Sequence, residues 1–406
     1  MVEGMEVNPI VSNFEVTVEK LIYGGDGLAR LDGRVVFAPY VLPGETFMAR
    51  VEKEKPGLIR ATAVEILAPS GERVPALCPY FSRCGGCHYQ HANYEFQLAS
   101  KKAIVIEELR RLGKIEPPDD IHMVAADPWG YRNRAQFHLS HGQMGYWESH
   151  SHKLCAIDQC PVSSPKLNQT ITTLNGMLHD TRWPRFVRSI EVFTDETQVQ
   201  LNVLETDRPV ARRFFDWCKE RIEGMVVGAL DYQNRFRVGP NSFFQVNRHL
   251  LEQLVETAVA GTEGETALDL YAGVGLFTIP LAKQFREVMA VETGAAAVRD
   301  LQFNVERAGL TNVKAAQRLV EEHLIALEQA PDFVLADPPR AGLGKNVVKR
   351  LSELKPRQIT IVSCDPATLA RDLSGLLAAG YWVAEMTLID LFPQTYHVET
   401  VVRLMR

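Results

Sequence analysis

The run ETALDLYAGVGLFTIPLA at 265–282 constrains the fold more than any other stretch of this chain. A short apolar strand, 267–270, enters Tyr271-Ala272-Gly273-Val274-Gly275, and an apolar helical pattern follows. A second apolar strand, 288–292, then ends on an acid, Glu292. A strand, a glycine turn, a helix and a second strand in that order make a βαβ unit, since parallel neighbours need a crossover between them. Gly273 and Gly275 let the backbone come close to a ligand, and Glu292 is placed to accept hydrogen bonds from ribose hydroxyls. The third glycine that a dinucleotide fingerprint requires is absent after Gly275. The loop therefore suits S-adenosylmethionine better than a pyrophosphate cofactor.

Two further strand ends fall in the same half of the chain. The apolar strand 333–335 runs into Asp337-Pro338-Pro339-Arg340, whose prolines keep the backbone extended. The strand 359–362 ends at Ser363-Cys364-Asp365-Pro366. Both sites fall at the carboxyl edge of a parallel sheet, where ligands bind in open α/β folds. Amino-methyltransferases carry an aromatic residue where Arg340 stands here. Transfer of a methyl group to an amine needs no nucleophile, whereas a thiolate adds covalently to an electron-poor carbon. Cys364 at a strand end reads as such a nucleophile; the bland reading is a small buried apolar residue.

The 406 residues, 46% hydrophobic and 23% charged, suit a globular chain of two or three domains. No apolar run reaches the length of a membrane span and the first ten residues lack a signal-peptide pattern, so the expected location is the cytoplasm. Seven cysteines there are expected to be reduced, metal-bound or catalytic rather than paired. A net charge of −6 excludes holding nucleic acid by bulk electrostatics alone. Acid and base are nearest to balance in the middle third. Arg132/Arg134, Arg212/Arg213 and Arg235/Arg237 there could face phosphates, or be scattered solvated charge.

Along the chain, 13–69 alternates apolar residues in short strands broken by Gly24-Gly25 and Pro43-Gly44, the pattern of a small OB-like β-barrel. Residues 90–114 predict a helix ending at Gly113. RNRAQFHLSH, MGYWES, RSIEVFTDETQVQLNVLE and RFRVGPNSFFQVN predict an antiparallel sheet with basic and aromatic side chains, a surface suited to single-stranded RNA. A helix over about 248–259 leads into the last domain. The expected division is a barrel at 1–70, a central α+β domain at 71–245 and a doubly wound, Rossmann-like α/β domain at 246–406.

Cys78, Cys84 and Cys87 form C-x5-C-x2-C, and Cys160 follows in DQCP. Four such thiolates suit an iron–sulfur cluster, with a [4Fe-4S] centre and four protein ligands as the expectation. Zinc is the second reading, although its usual paired C-x2-C spacing is missing. Cys155 competes with Cys160, which is preferred for the proline after it. Cys218 reads as a buried packing residue.

The phrase YGGDGLARLDGRVVFAPYVLPGE resembles a TRAM domain, an RNA-binding module of modification enzymes. With the cysteine cluster, FFQVN, DLYAGVGLF, DPPR, SCDP and HVETVV in this order, nearly the whole chain resembles the RNA uracil-5 methyltransferase family, in its TRAM-containing iron–sulfur branch. The resemblance implies S-adenosylmethionine-dependent methylation of uracil carbon 5 in RNA. It also implies that Gln245, Tyr271, Glu292 and Asp337 belong to the cofactor pocket, that Cys364 is the nucleophile and that Glu399 is the base. His397 is the competing base, and Glu399 could instead be a surface acid on an edge strand. The match is weakest at 317–321, so the adenine contact stays unassigned. Ribosomal RNA is the expected substrate and transfer RNA the alternative, with the protein acting as a monomer away from membranes. The rival from another class is a non-catalytic RNA-binding iron–sulfur protein.

Overall fold

The computed structural model describes residues 13–406; residues 1–12 of the expected barrel segment lie outside the described residues. The chain forms two compact units. The first runs to Ser82 and includes Gly86–Ile104 and Gln394–Tyr396; the second holds Arg83–Gly85, Val105–Pro393 and His397–Arg406.

In the first unit, β1 (Asn13–Leu21), β2 (Asp26–Leu31), β3 (Arg34–Pro39), β4 (Thr46–Lys55) and β5 (Leu58–Ala68) close into a barrel in the order β1-β2-β3-β5-β4. Closure leaves no strand edge exposed to pair with another chain. The predicted alternation places Val16, Val18, Phe47 and Ala49 inside, with Val36, Ala38 and Ile59. Gly27 allows close packing: a Cβ there would come within 2.6 Å of the Val41 side chain, which would have to shift. The 42–45 turn is sealed by the fully buried Glu45, which accepts from Leu42 N–H at 2.8 Å and from Arg73 Nη2 at 2.7 Å. Burial would raise its pKa, but the bonds from Arg73, Leu42 and Ser70 hold it below the ordinary value. Helix α1 (Tyr94–Glu108) starts where Asn93 Oδ1 accepts from Phe96 N–H at 2.8 Å. The helix passes into the second unit at Val105, and a π-helical turn, Leu109–Gly113, continues it to the predicted stop, where a Cβ on Gly113 would lie 2.9 Å from the Ala370 carbonyl.

The second unit has two large sheets. After β6 (His122–Val124), β7 (Arg134–Ser140), β8 (Gln143–Trp147), β9 (Leu154–Ala156), β10 (Val187–Thr194), β11 (Val199–Thr206) and β12 (Met225–Val226) form a six-stranded sheet ordered β12-β11-β10-β7-β8-β9. It is antiparallel as expected, except that β12 joins β11 in parallel. The expected strand over RFRVGPNSFFQVN is shorter. Only Phe236–Val238 (β14) is a strand, paired with β13 (Leu230–Tyr232), and the chain from Gly239 to Asn247 is loop.

The other sheet contains β15 (Gly264–Leu270), β16 (Phe285–Glu292), β17 (Val313–Gln317), β18 (Phe333–Ala336), β19 (Gln358–Ser363), β20 (Trp382–Ile389) and β21 (Glu399–Met405). Its order is β17-β16-β15-β18-β19-β21-β20-β6. β15 to β19 run parallel, and β21 inserts antiparallel between β19 and β20. β6, far away in sequence, adds to β20 as the eighth strand. The strands β18 and β19 are buried at every position, which is why β18 reads as an unbroken apolar run and β19 as a largely apolar one. Strand order reverses between β15 and β18, opening the crevice in which doubly wound folds bind ligands. Among the described residues no helix is long and apolar enough to cross a membrane.

Candidate active site

The glycine loop lies at this crevice. Tyr271 takes φ 63°, and Gly273 and Gly275 take 55° and 95°, so the chain leaves β15 through a left-handed turn. A Cβ on Gly273 would meet nothing within 4 Å, so a ligand has room to approach the backbone there. Glu292 ends β16 as predicted and ties the crevice together. Its Oε2 accepts from Gly273 N–H at 3.0 Å, and its Oε1 from the N–H groups of Thr293 and Gly294, each at 2.7 Å. A carboxylate oxygen has a second lone pair, so Glu292 retains acceptor capacity. Gln317 pairs with Glu292 in the parallel register, and Arg318 N–H donates to its carbonyl at 3.1 Å, so the segment that the sequence left unassigned forms the wall beside Glu292.

Asp269 is a residue that motif reading passed over. It is fully buried inside β15 and takes a 2.5 Å bond from Thr278 Oγ1. Burial first, then Asp337 and Glu292, push its pKa up to about 7 against the bond from Thr278. An acid inside an otherwise apolar strand was the available signal.

Cys364 follows the last residue of β19. The antiparallel register pairs Val362 with Val401 and Ser363 with Thr400, which brings Cys364 opposite Glu399 at the start of β21. Glu399 is 4% exposed and pairs with Ile389 of β20 on its other side, so the surface-acid reading is wrong. Burial and then Asp337 drive its pKa well above the carboxylate range, and burial raises that of Asp337 as well. The Cys364 thiol is pushed up to about 12 by burial, followed by Glu399, Asp337 and Asp365, with Arg340 opposing. Asp365 caps the next helix, accepting from Thr368 N–H at 2.9 Å. His397 Nε2 lies 3.2 Å from Arg340 Nη2; arginine only donates, so this nitrogen is already an acceptor and is a poor proton sink.

Gln245 is 8% exposed and sits in the loop after β14. That loop is held by Asp300, whose Oδ2 accepts from Gly239 N–H at 2.7 Å and Ser242 Oγ at 2.5 Å, while Arg237 Nε pairs with Oδ1 at 3.2 Å. Asp300 belongs to the helix that follows Glu292, so one carboxylate joins the Gln245 loop to the cofactor half of the unit.

Cys78, Cys84, Cys87 and Cys160 are all partly buried, and none is in a disulfide. Among the described residues no three His, Cys, Asp or Glu side chains gather into a group that could hold a metal ion. Cys84 bridges to Glu148 beyond β8, and the Tyr146 phenol has its pKa raised by burial first and then by Cys160 and Cys84, with Arg132 and a bond to Ser163 opposing. Cys155 is buried, with its sulfur accepting from Arg83 Nε at 3.2 Å. Cys218 is fully buried in an apolar setting that raises its pKa to about 12, as a packing residue should be.

The sequence model of the tRNA (Uracil-5-)-methyltransferase family matches residues 215–406, and that of the TRAM domain matches 10–64. The 23S rRNA (uracil(1939)-C(5))-methyltransferase RlmD of Yersinia enterocolitica is 34% identical over 96% of this chain and 95% of its own. An uncharacterized RNA methyltransferase of Aquifex aeolicus is 33% identical over 95% and 97% of the two chains. Among solved structures, the Pyrococcus abyssi tRNA (uracil-54, C5)-methyltransferase, in complex with S-adenosyl-L-homocysteine, superposes with a TM-score of 0.73 at 27% identity. That match covers 96% of this chain and 100% of the other. With an S-adenosylmethionine-dependent methyltransferase fold, a TRAM barrel and full-length relatives of this kind, the chain belongs to the RNA (uracil-5-)-methyltransferase family.

Proposed function

We propose that the protein methylates carbon 5 of a uridine in 23S rRNA through a covalent adduct of Cys364 with uracil carbon 6. The observation that carries this reading is the apposition of Cys364 and Glu399 at the carboxyl edge of the sheet. The relative named for 23S rRNA favours the ribosomal substrate. Transfer RNA is the second reading, favoured by the P. abyssi structure. In this scheme the 1–70 barrel and the central 71–245 domain grip the RNA and 246–406 carries the chemistry, in a cytoplasmic monomer.

S-adenosylmethionine, when bound, supplies an electrophilic methyl group. Gln245, Tyr271, Gly273, Gly275, Glu292 and Asp337 would hold it, and the open space above Gly273 supports that assignment. Cys364 Sγ gives an electron pair to uracil carbon 6, and its proton passes to a neighbouring carboxylate. The addition makes carbon 5 nucleophilic enough to take the methyl group. Glu399 then removes the carbon 5 proton; the pair left behind re-forms the double bond and expels the Cys364 thiolate. A carboxyl group whose pKa is raised by burial is a stronger base in this step than an exposed glutamate. A target base has to leave its stack to reach such a site, which favours an unpaired loop.

Cys78, Cys84, Cys87 and Cys160 are assigned to a [4Fe-4S] cluster, on the support of their spacing and of thiolate chemistry alone. Four protein ligands leave no open iron position, so its role would be structural. The function is tested by mass mapping of methyluridine in RNA from a strain lacking the gene. Loss of one 5-methyluridine from 23S rRNA is expected. Loss from tRNA would replace the ribosomal assignment, and loss from neither would overturn the reading.

A further inference from the structure

Glu399 is the first residue of β21, and residues 390–398 bring the chain to it from β20. It pairs with Ile389 of β20, while the ladder to β19 begins only at Thr400. The end of a ladder opens more easily than its middle, so the place of Glu399 depends on what holds the connection before it. Gln394, in that connection, takes φ 68°, a left-handed conformation that a residue with a side chain keeps only where its surroundings fix it. Gln97 on α1 does so with both ends of its amide. Its Nε2 donates to Gln394 Oε1 at 3.0 Å, and its Oε1 accepts from Gln394 N–H at 3.1 Å. The same nitrogen donates to the Ala92 carbonyl at 2.9 Å, which fixes which way the amide faces. The Gln394 carbonyl accepts from His88 N–H at 2.8 Å and from Tyr89 N–H at 3.0 Å. Two residues on, the Tyr396 ring packs on those of His88 and Tyr23, with centroids 4.6 and 5.3 Å away. The N–H, the carbonyl and the side-chain oxygen of Gln394 are thus all engaged by residues of the first unit. Just before it, Asn247 Nδ2 donates to the Leu391 carbonyl at 3.0 Å and Tyr131 Oη to the Pro393 carbonyl at 3.1 Å.

We infer that Gln97 is a positioning residue for the reaction. Its amide fixes Gln394 and, through the short run of chain from there to residue 399, holds Glu399 where it can take the carbon 5 proton. This rests on the reading of Glu399 as the base. Gln97 is 1% exposed, so it acts through Gln394 and not by touching RNA or cofactor. A small displacement of a catalytic group is costly in rate, which is why a buried amide on a helix of the first unit bears on the chemistry.

The test compares full-length wild type, Gln97→Met, Gln394→Gly and Glu399→Gln on unmodified RNA from a strain lacking the gene. Gln97→Met keeps the buried volume and removes the bonds. Gln394→Gly suits the left-handed backbone and removes only the amide arm, so it gives the same comparison where Gln97→Met does not fold. Both should lower kcat by about 10–100-fold, the penalty of a misplaced catalytic group, with KM for S-adenosylmethionine unchanged. Both should also build up the denaturation-resistant RNA complex expected of Glu399→Gln. Adduct formation with 5-fluorouridine RNA, which needs no proton removal, should keep its wild-type rate. With Glu399→Gln accumulating the complex, wild-type turnover by the folded variants, or adduct formation slowed as much as turnover, would overturn the inference alone. Normal turnover by Glu399→Gln would overturn the base assignment and the inference together.

Discussion

Cys364 and Glu399 face each other across the β19–β21 pair, one a thiol with its pKa at about 12, the other an acid held well above the carboxylate range. Burial and the neighbouring carboxylates disfavour the charged form of both groups in the substrate-free site. At the thiol burial outweighs the opposing Arg340, in contrast to cysteines activated in advance by a cationic neighbour.

Cys364→Ala should abolish methylation while leaving S-adenosylmethionine binding within a few-fold of wild type, as measured by calorimetry. The cofactor contacts assigned above lie on other strand ends. With 5-fluorouridine at the target position, wild type should form an adduct with RNA that survives a denaturing gel. Substantial turnover by Cys364→Ala would sink the covalent mechanism.

Glu399→Gln separates the steps. Attack and methyl transfer should proceed, but proton removal should slow by about 10²–10⁴-fold, the usual contribution of a general base. Enzyme and unmodified RNA should then accumulate as a covalent complex. A variant that turns over normally would move the base role to another group.

Asp269 makes the stability of the second unit fall as pH rises. Its folded pKa, about 7, lies above the ordinary carboxylate value of 3.8, so the folded state binds the extra proton. By linkage this stabilisation is complete below about pH 4 and is lost between there and pH 7. Asp269→Asn preserves an acceptor for Thr278 and should flatten the dependence of melting temperature on pH over that window. An unchanged slope would mean that the acid titrates normally.

Asp300→Ala should raise KM for S-adenosylmethionine more than it lowers kcat, because the loop carrying Gln245 loses its anchor. The buried Gly239 N–H and Ser242 hydroxyl would lose their acceptor, at a cost of about 1–3 kcal/mol each, less whatever water recovers. Denaturant unfolding measures the second effect and initial rates the first.

Cys84→Ser should remove the visible absorption expected of an anaerobic preparation and lower the melting temperature. Methyl transfer should persist in whatever fraction remains folded. Stoichiometric zinc in a colourless wild type would replace iron with a structural zinc site.

The strands leading to Gly273, Glu292, Asp337 and Cys364 were legible in the sequence, because the central stretch of each is buried and mostly apolar and ends where the ligand edge begins. The barrel was legible for a related reason: its interior admits only alternate residues. The burial of Glu399 was not. ETVVRLM reads equally well as an edge or an interior strand, and only the insertion of β21 between β19 and β20 removes water from the acid. The joining of β6 to β20, the hold of Asp300 on the Gln245 loop and the grip of Gln97 on Gln394 likewise connect residues distant in the chain. Local pattern determines which residues can form a strand or a turn. Which side chains then lose their solvent, and which carboxyl and thiol groups shift each other's pKa, depends on long-range pairing that only the tertiary structure decides.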